Sequence, residues 1–156
     1  MIVIGYQGIG KSTLAGKNNC IDLESGNFWH NGVRQDNWYV FYCKIAEHLS
    51  QQGYTVFVSS HEVVRNRLRK YSNEQLHIIC PSVELKDEWI SKLKKRFEYT
   101  KLDKNYKAWM NAEDRYVKNI NELKNSGINC IEIKDMNYDL LDIIQSLKDY
   151  GEFKND

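Results

Sequence analysis

The sequence predicts an α/β protein: a five-stranded parallel sheet with helices on both faces. Three observations carry this reading. Five short apolar, β-rich runs fall at residues 2–5, 19–23, 54–60, 76–80 and 128–133. Between them, apolar residues recur at intervals of three and four, the spacing of one helix face. Strands that alternate with helices are joined by βαβ crossovers, which make the strands parallel.

Each element has its own justification. The aliphatic run Ile2–Gly5 ends on glycine, and a helix is expected from about Gly10. The run 19–23 contains Asp22 near its end, and 24–36 (ESGNFWHNGVRQD) is polar and aromatic with neither period. Trp38, Phe41, Tyr42, Ile45 and Leu49 make the next helix face, and Gly53 closes it as a left-handed cap. YTVFVSS (54–60) is a strand, HEVVRNRLRKY (61–71) a helix with a basic face, and LHIIC (76–80) a strand ended by Pro81. Leu85, Trp89, Leu93 and Phe97 mark one helix, and Tyr106, Trp109, Tyr116, Ile120 and Leu123 another, stopped by Ser126 and Gly127. INCIEI (128–133) is the fifth strand, and Leu140, Ile143, Ile144 and Leu147 begin the last helix.

The bulk numbers bound the function. A chain of 156 residues, 42% hydrophobic and 28% charged, suits one globular domain. A net charge of +1 supplies no overall basic field, so a nucleic-acid partner is not expected. No apolar run reaches the roughly 18 residues of a membrane helix, so no membrane partner is expected either. The opening MIVIGYQ lacks a basic leader, so no signal peptide is expected. Cys20, Cys43, Cys80 and Cys130 form no C-x-x-C pair and sit in apolar runs, as buried thiols of a reducing cytoplasm would. Oligomeric state is not readable from these patterns.

The most specific feature is Gly5-Tyr6-Gln7-Gly8-Ile9-Gly10-Lys11-Ser12, which fits G-x-x-x-x-G-K-[ST]. It follows a predicted strand and opens a predicted helix, the context that phosphate binding requires. Glycines at Gly5, Gly8 and Gly10 let successive N–H groups, with those of Ile9 and Thr13, turn toward phosphate oxygens. The helix start adds partial positive charge. Lys11 can reach the β- and γ-phosphates, and the Ser12 hydroxyl can hold Mg²⁺. The expected cofactors are therefore ATP and Mg²⁺.

With GYQGIGKST, Asp22 after the second strand and a basic helix after the fourth, the chain resembles a small P-loop kinase of the nucleoside monophosphate kinase and shikimate kinase group. The resemblance implies a single three-layer P-loop NTPase domain over 1–156, with sheet order 2-3-1-4-5. It implies an acceptor-binding segment near 24–36 and a lid-like segment near 91–105. GTPases carry N/T-K-x-D after a late strand to read guanine, and no such tetrapeptide follows one here.

In such sheets ligands bind at the carboxyl ends of the strands. Asp22 is expected to position the acceptor or act as general base, with Glu24 on the same side of an extended chain. Phe28 and Trp29 are expected to stack on a base and Arg34 to fork onto an acceptor phosphate. The third strand ends in Ser59 and Ser60 where many P-loop proteins place Asp, a departure that leaves Glu62 or Asp22 to serve the metal. His61 and Arg65 follow as phosphate-contact candidates. Lys92 and Arg96 lie four apart on one helix face, where the resemblance implies a clamp on the transferring phosphoryl group. Arg96 is the expected charge stabiliser, because lysine cannot fork. Met136 and Asn137, after the fifth strand, are expected to flank the donor base. The expected activity is phosphoryl transfer to a nucleoside or deoxynucleoside monophosphate. The alternatives are a small non-nucleotide hydroxyl or a polynucleotide 5′ end as acceptor, or a non-catalytic NTP-binding switch.

Overall fold

The computed structural model describes residues 1–155, with side chains described through Glu152. Its strands are β1 (Ile2–Gly5), β2 (Cys20–Asp22), β3 (Trp29–His30), β4 (Val33–Arg34), β5 (Thr55–Val58), β6 (Leu76–Pro81) and β7 (Asn129–Ile133). Five of them form a parallel sheet in the order β2-β5-β1-β6-β7. At its centre Ile4 pairs with Val58 on one side and Ile78 on the other. Every residue of β1 and β5 is buried, so both faces of the sheet centre are covered. Continuous aliphatic runs, in place of alternation, are what such a buried strand needs.

The expected order 2-3-1-4-5 counted five strands, and in chain numbering the order differs. Residues 29–34 fold into a separate antiparallel hairpin, β3–β4, which takes the third and fourth places. With that hairpin set aside, the sheet strands lie second, third, first, fourth, fifth. The hairpin follows from Asn31-Gly32, which both adopt positive φ (50° and 75°) in a two-residue turn. That geometry matches the right-handed twist of the flanking strands.

The helices are α1 (Lys11–Leu14), α2 (Trp38–Gln51), α3 (Glu62–Tyr71), α4 (Lys86–Thr100), α5 (Asp103–Lys124) and α6 (Leu140–Asn155). The helix expected from Gly10 is a single turn. Gly16, Asn18 and Asn19 all take positive φ just beyond it and turn the chain into β2. A four-residue helix sums few peptide dipoles, so the expected field at its start is small.

The lid-like segment also differs from expectation. The segment 91–105 is almost wholly helical: α4 and α5 form a packed helical hairpin joined by Lys101 and Leu102. Lys101 sits at φ 56°, and the Thr100 hydroxyl closes the turn. That hydroxyl donates to the Arg96 carbonyl (2.9 Å) and accepts from the Asn105 amide group (2.7 Å). Thr100-Lys101-Leu102-Asp103 does have the N/T-K-x-D form, but it lies across this turn and not after a strand.

The core runs through the sheet and its covering helices, with Trp89, Tyr42, Tyr116 and Phe57 among the largest fully buried side chains. All four cysteines are free, three of them buried, and Cys80 and Cys130 face each other at 3.5 Å between sulfurs. Among the described residues no helix is long and apolar enough to cross a membrane.

Candidate functional site

Beyond the carboxyl ends of β1, β2 and β5 lies a cleft of about 820 Å³. The loop after β1 forms its floor. Residues after β2 and β5 form one wall, and α4 and α5 form the other.

The loop is polarised. Three of its carbonyls are held by side chains: Gly5 by the Lys11 ammonium (3.1 Å), Gln7 by the Trp89 indole N–H (3.0 Å) and Ile9 by the Tyr138 hydroxyl (2.7 Å). Among the described residues, no protein acceptor takes the backbone N–H of Gln7, Gly8, Ile9, Gly10, Lys11 or Ser12. A run of consecutive amides without protein acceptors has donors free for solvent or for an anion. Gly8 makes the loop possible. Its φ is +84°, and a Cβ there would stand 2.9 Å from Leu93 Cδ2.

Lys11 is half-buried, and its side chain packs so close to Gly5 that a Cβ there would lie 2.7 Å from Lys11 Cδ. Burial lowers the lysine's pKa, while Asp22 and Glu24 pull it back up. Asp22 moves the other way: burial raises its pKa and Lys11 opposes the rise. The two feel one another without forming an ion pair. Ser12 is exposed at the cleft, a hard oxygen suited to a cation. Among the described residues no cluster of three acidic, His or Cys side chains could cage a metal. Mg²⁺ fits here only in its usual manner, held by few protein oxygens together with phosphates and water.

The wall after β5 is built on Tyr42. Its hydroxyl donates to the Leu23 carbonyl (2.6 Å) and accepts the Ser59 N–H (2.8 Å), tying the ends of β2 and β5 together. His61 Nδ1 lies 2.8 Å from the Ser59 hydroxyl, and burial, Arg34 and Lys11 lower its pKa. Arg65 is buried, donates to the carbonyls of Ser60 (3.1 Å) and Glu122 (3.4 Å), and has no carboxylate partner among the described residues.

In 24–36, Trp29 and Arg34 reach the cleft, but Phe28 does not. Phe28 packs edge-on against Tyr42 (5.4 Å) and Trp38 (6.0 Å), so the expected base-stacking role for it is not supported by its position. Arg34 is sandwiched between Trp29 (4.7 Å) and Trp38 (4.1 Å) and donates to the Ser25 carbonyl. Glu24 lines the cleft and pairs with Lys104 at 3.6 Å, a contact exposed enough to contribute little.

On the opposite wall, Arg96 and Arg115 reach the cleft, and among the described residues neither forms an ion pair. Lys92 does not line it. Its ammonium donates to Tyr138 (3.0 Å) and lies over the Trp89 ring (4.3 Å), behind the loop. One helical turn separates it from Arg96, enough to move a side chain from the cleft to the back of the loop. Asn137 and Met136 do not line the cleft either: Asn137 is exposed, and its N–H is turned onto the Asp135 carboxylate (2.8 Å). Gly5, Ile9 and Thr13 shape the loop without lining the cleft. The structure thus brings together Gly8, Gly10, Lys11, Ser12, Asp22, Glu24, Trp29, Arg34, Arg65 and Arg96, and leaves Lys92 and Asn137 out.

Sequence reasoning missed Gln7, Tyr138 and the polar face of α5. Gln7 donates to the Ala108 carbonyl (2.8 Å), fastening the loop to α5. Asn111, Arg115 and Asn119 recur at four along that helix, a polar stripe that helical spacing could have revealed. No family model, curated protein or solved structure matches this chain.

Proposed function

We propose that the protein is an ATP- and Mg²⁺-dependent phosphotransferase of P-loop type, acting on a nucleoside or deoxynucleoside monophosphate. The observation that carries this reading is the loop 7–12, whose amides have no protein acceptor while its carbonyls at Gln7 and Ile9 are held from behind. A di- or triphosphate has oxygens enough to engage so many donors, and the Lys-Ser pair at the end of the loop favours a nucleoside triphosphate. In this reading the amides hold the phosphates and Lys11 neutralises their charge. Ser12 would hold Mg²⁺, which supplies further neutralisation when bound. Arg96, facing the loop across the cleft, stabilises charge that develops on the transferred group. Asp22, its pKa raised by burial, positions the acceptor; a nucleotide's attacking phosphate oxygen is already ionised, and only a hydroxyl acceptor would need Asp22 to take its proton. Arg34, Arg65 and Arg115 stand in the same cleft without carboxylate partners and suit an acceptor that is itself anionic.

A second acceptor class has one observation in its favour. The α5 wall offers Asn105, Asn111 and Asn119, against a single indole, Trp29, on the facing side. Amides read hydroxyls, so a small polyhydric alcohol is the alternative acceptor. The test is ADP release from ATP and Mg²⁺ with each ribo- and deoxynucleoside monophosphate in turn, and Lys11→Ala as control. Acceptor-dependent ADP that disappears in the variant supports the nucleotide reading. Silence with nucleotides and turnover with polyols, or with 5′-hydroxyl oligonucleotides, reassigns the acceptor. ATP binding without turnover on any of them would make the protein a nucleotide-binding switch.

A further inference from the structure

The side chains behind the loop belong to distant parts of the chain: Trp89 and Lys92 from α4, Tyr138 from the segment between β7 and α6. We infer that Tyr138, set by Lys92 and seconded by Trp89, is the positioning residue that aims the loop's amides into the cleft. The inference rests on the reading of this loop as a phosphate site.

Peptide planarity supplies the mechanism. In a trans peptide the carbonyl of one residue and the N–H of the next point in opposite directions. Trp89 holds the Gln7 carbonyl at the back, which directs the Gly8 N–H to the front. Tyr138 holds the Ile9 carbonyl at the back, which directs the Gly10 N–H to the front. Both glycines line the cleft; Trp89 and Tyr138 do not.

The donor directions are unambiguous. An indole nitrogen can only donate, and so can an ammonium. Lys92 donates to the Tyr138 oxygen at 3.0 Å, so the tyrosine's own proton is left for a loop carbonyl, and that of Ile9 at 2.7 Å is much nearer than that of Gly8 at 3.5 Å. The lysine also lies over both rings, 4.3 Å from the Trp89 centroid and 5.1 Å from that of Tyr138. The rings themselves stack at 5.9 Å. Lys92 therefore serves the site from behind, by fixing the hydrogen-bond direction of Tyr138.

The experiment is binding of inorganic pyrophosphate to the full chain by calorimetry, with backbone amide NMR on the same samples. Tyr138→Phe keeps the ring and removes the donor. One net hydrogen bond corresponds to about a fivefold change in affinity, so pyrophosphate should bind about fivefold more weakly. The Gly10 amide resonance of the ligand-free protein should move while the signals of β5 and α2 stay in place, a pattern that a general loss of structure would not give. Lys92→Met should weaken binding in the same direction, and it decides the matter if Tyr138→Phe does not fold. Wild-type affinity in a folded variant, with an unmoved Gly10 amide, overturns the inference and leaves the phosphate site standing. Wild-type protein that does not bind pyrophosphate overturns both.

Discussion

The loop 5–12 and the segment 24–36 both carry polar groups to the cleft, yet they treat them oppositely. In the loop, donors outnumber internal acceptors: the carbonyls of Gly5, Gln7 and Ile9 are taken, while the amides of 7–12 have no protein partner. In 24–36 the one arginine is partly engaged from within. Arg34 has an indole on each face and donates to Ser25, while its buried Nε has no partner among the described residues. The loop leaves a run of consecutive amides open; the segment leaves one guanidinium N–H without a partner. Groups already engaged internally have less to offer a guest, which is the reason to weigh Arg34 below Lys11 and the loop amides as a ligand contact.

This contrast can be broken experimentally, and the largest effect belongs to the loop. Lys11→Ala should lower nucleotide-dependent turnover on the order of a hundredfold, as loss of a transition-state donor does. Its melting temperature should stay close to wild type, because among the described residues the lysine's side chain hydrogen-bonds the Gly5 carbonyl alone. Gly8→Ala comes next. A φ of +84° and a Cβ 2.9 Å from Leu93 should cost about 2 kcal/mol, or about 4–8 °C in a melt of the ligand-free protein. Pyrophosphate binding should be lost with it. Arg34→Met should reverse the pattern: about 1–2 kcal/mol of stability lost in urea titrations, as expected for a desolvated cation–π pair, with pyrophosphate affinity within about twofold of wild type. A large loss of affinity instead would return Arg34 to the binding site.

The smallest effect lies outside both segments and sets their baseline. His77 is buried, Asn129 lies 2.9 Å from its Nδ1, and its Nε2 has no partner. Burial, and then the N-terminal ammonium, hold its pKa below the usual 6.5. The unfolded chain therefore takes up the proton first as pH falls. The His77 contribution to stability should be level well above pH 6.5 and decline below it, over the interval down to the folded-state pKa, on top of any slope from the N-terminal ammonium and His61, whose pKa values burial also lowers. Urea midpoints at several pH values should show a shallower decline in His77→Gln. An unchanged profile would assign the acid sensitivity elsewhere.

Most of the sheet was legible because its strands are uninterrupted aliphatic runs. Ile2–Gly5 stands where the apolar run places it, and α2, α4 and α5 form where apolar residues recur at three and four. On α2, however, Phe41 and Ile45 of the expected face are exposed, and Cys43 and Ala46 are buried beside Tyr42 in their place. The hairpin at 29–34 was also written in the sequence, as Asn31-Gly32, but its strands are too short to show a period. The single-turn length of α1 was harder to foresee, since asparagines at positive φ end it. Within the site, the phosphate motif was local and could be read directly. The placement of Lys92 could not, because helical spacing gives a shared face but not the height at which a side chain meets its neighbours. Tyr138 was beyond reach for a different reason. Its hydrogen bond to Ile9 spans 129 residues, and nothing near either residue announces the other.

The Lys11 ammonium rests on its own loop, 3.1 Å from the Gly5 carbonyl. An ammonium carries three N–H donors, so one can stay on that carbonyl while the other two turn to a guest. The carbonyl thus fixes where the charge stands before anything arrives. An anionic oxygen would accept a charge-assisted bond roughly twice as strong as a neutral one. On the proposed reading, the anchored lysine favours polyanions over uncharged solutes without letting go of its own loop.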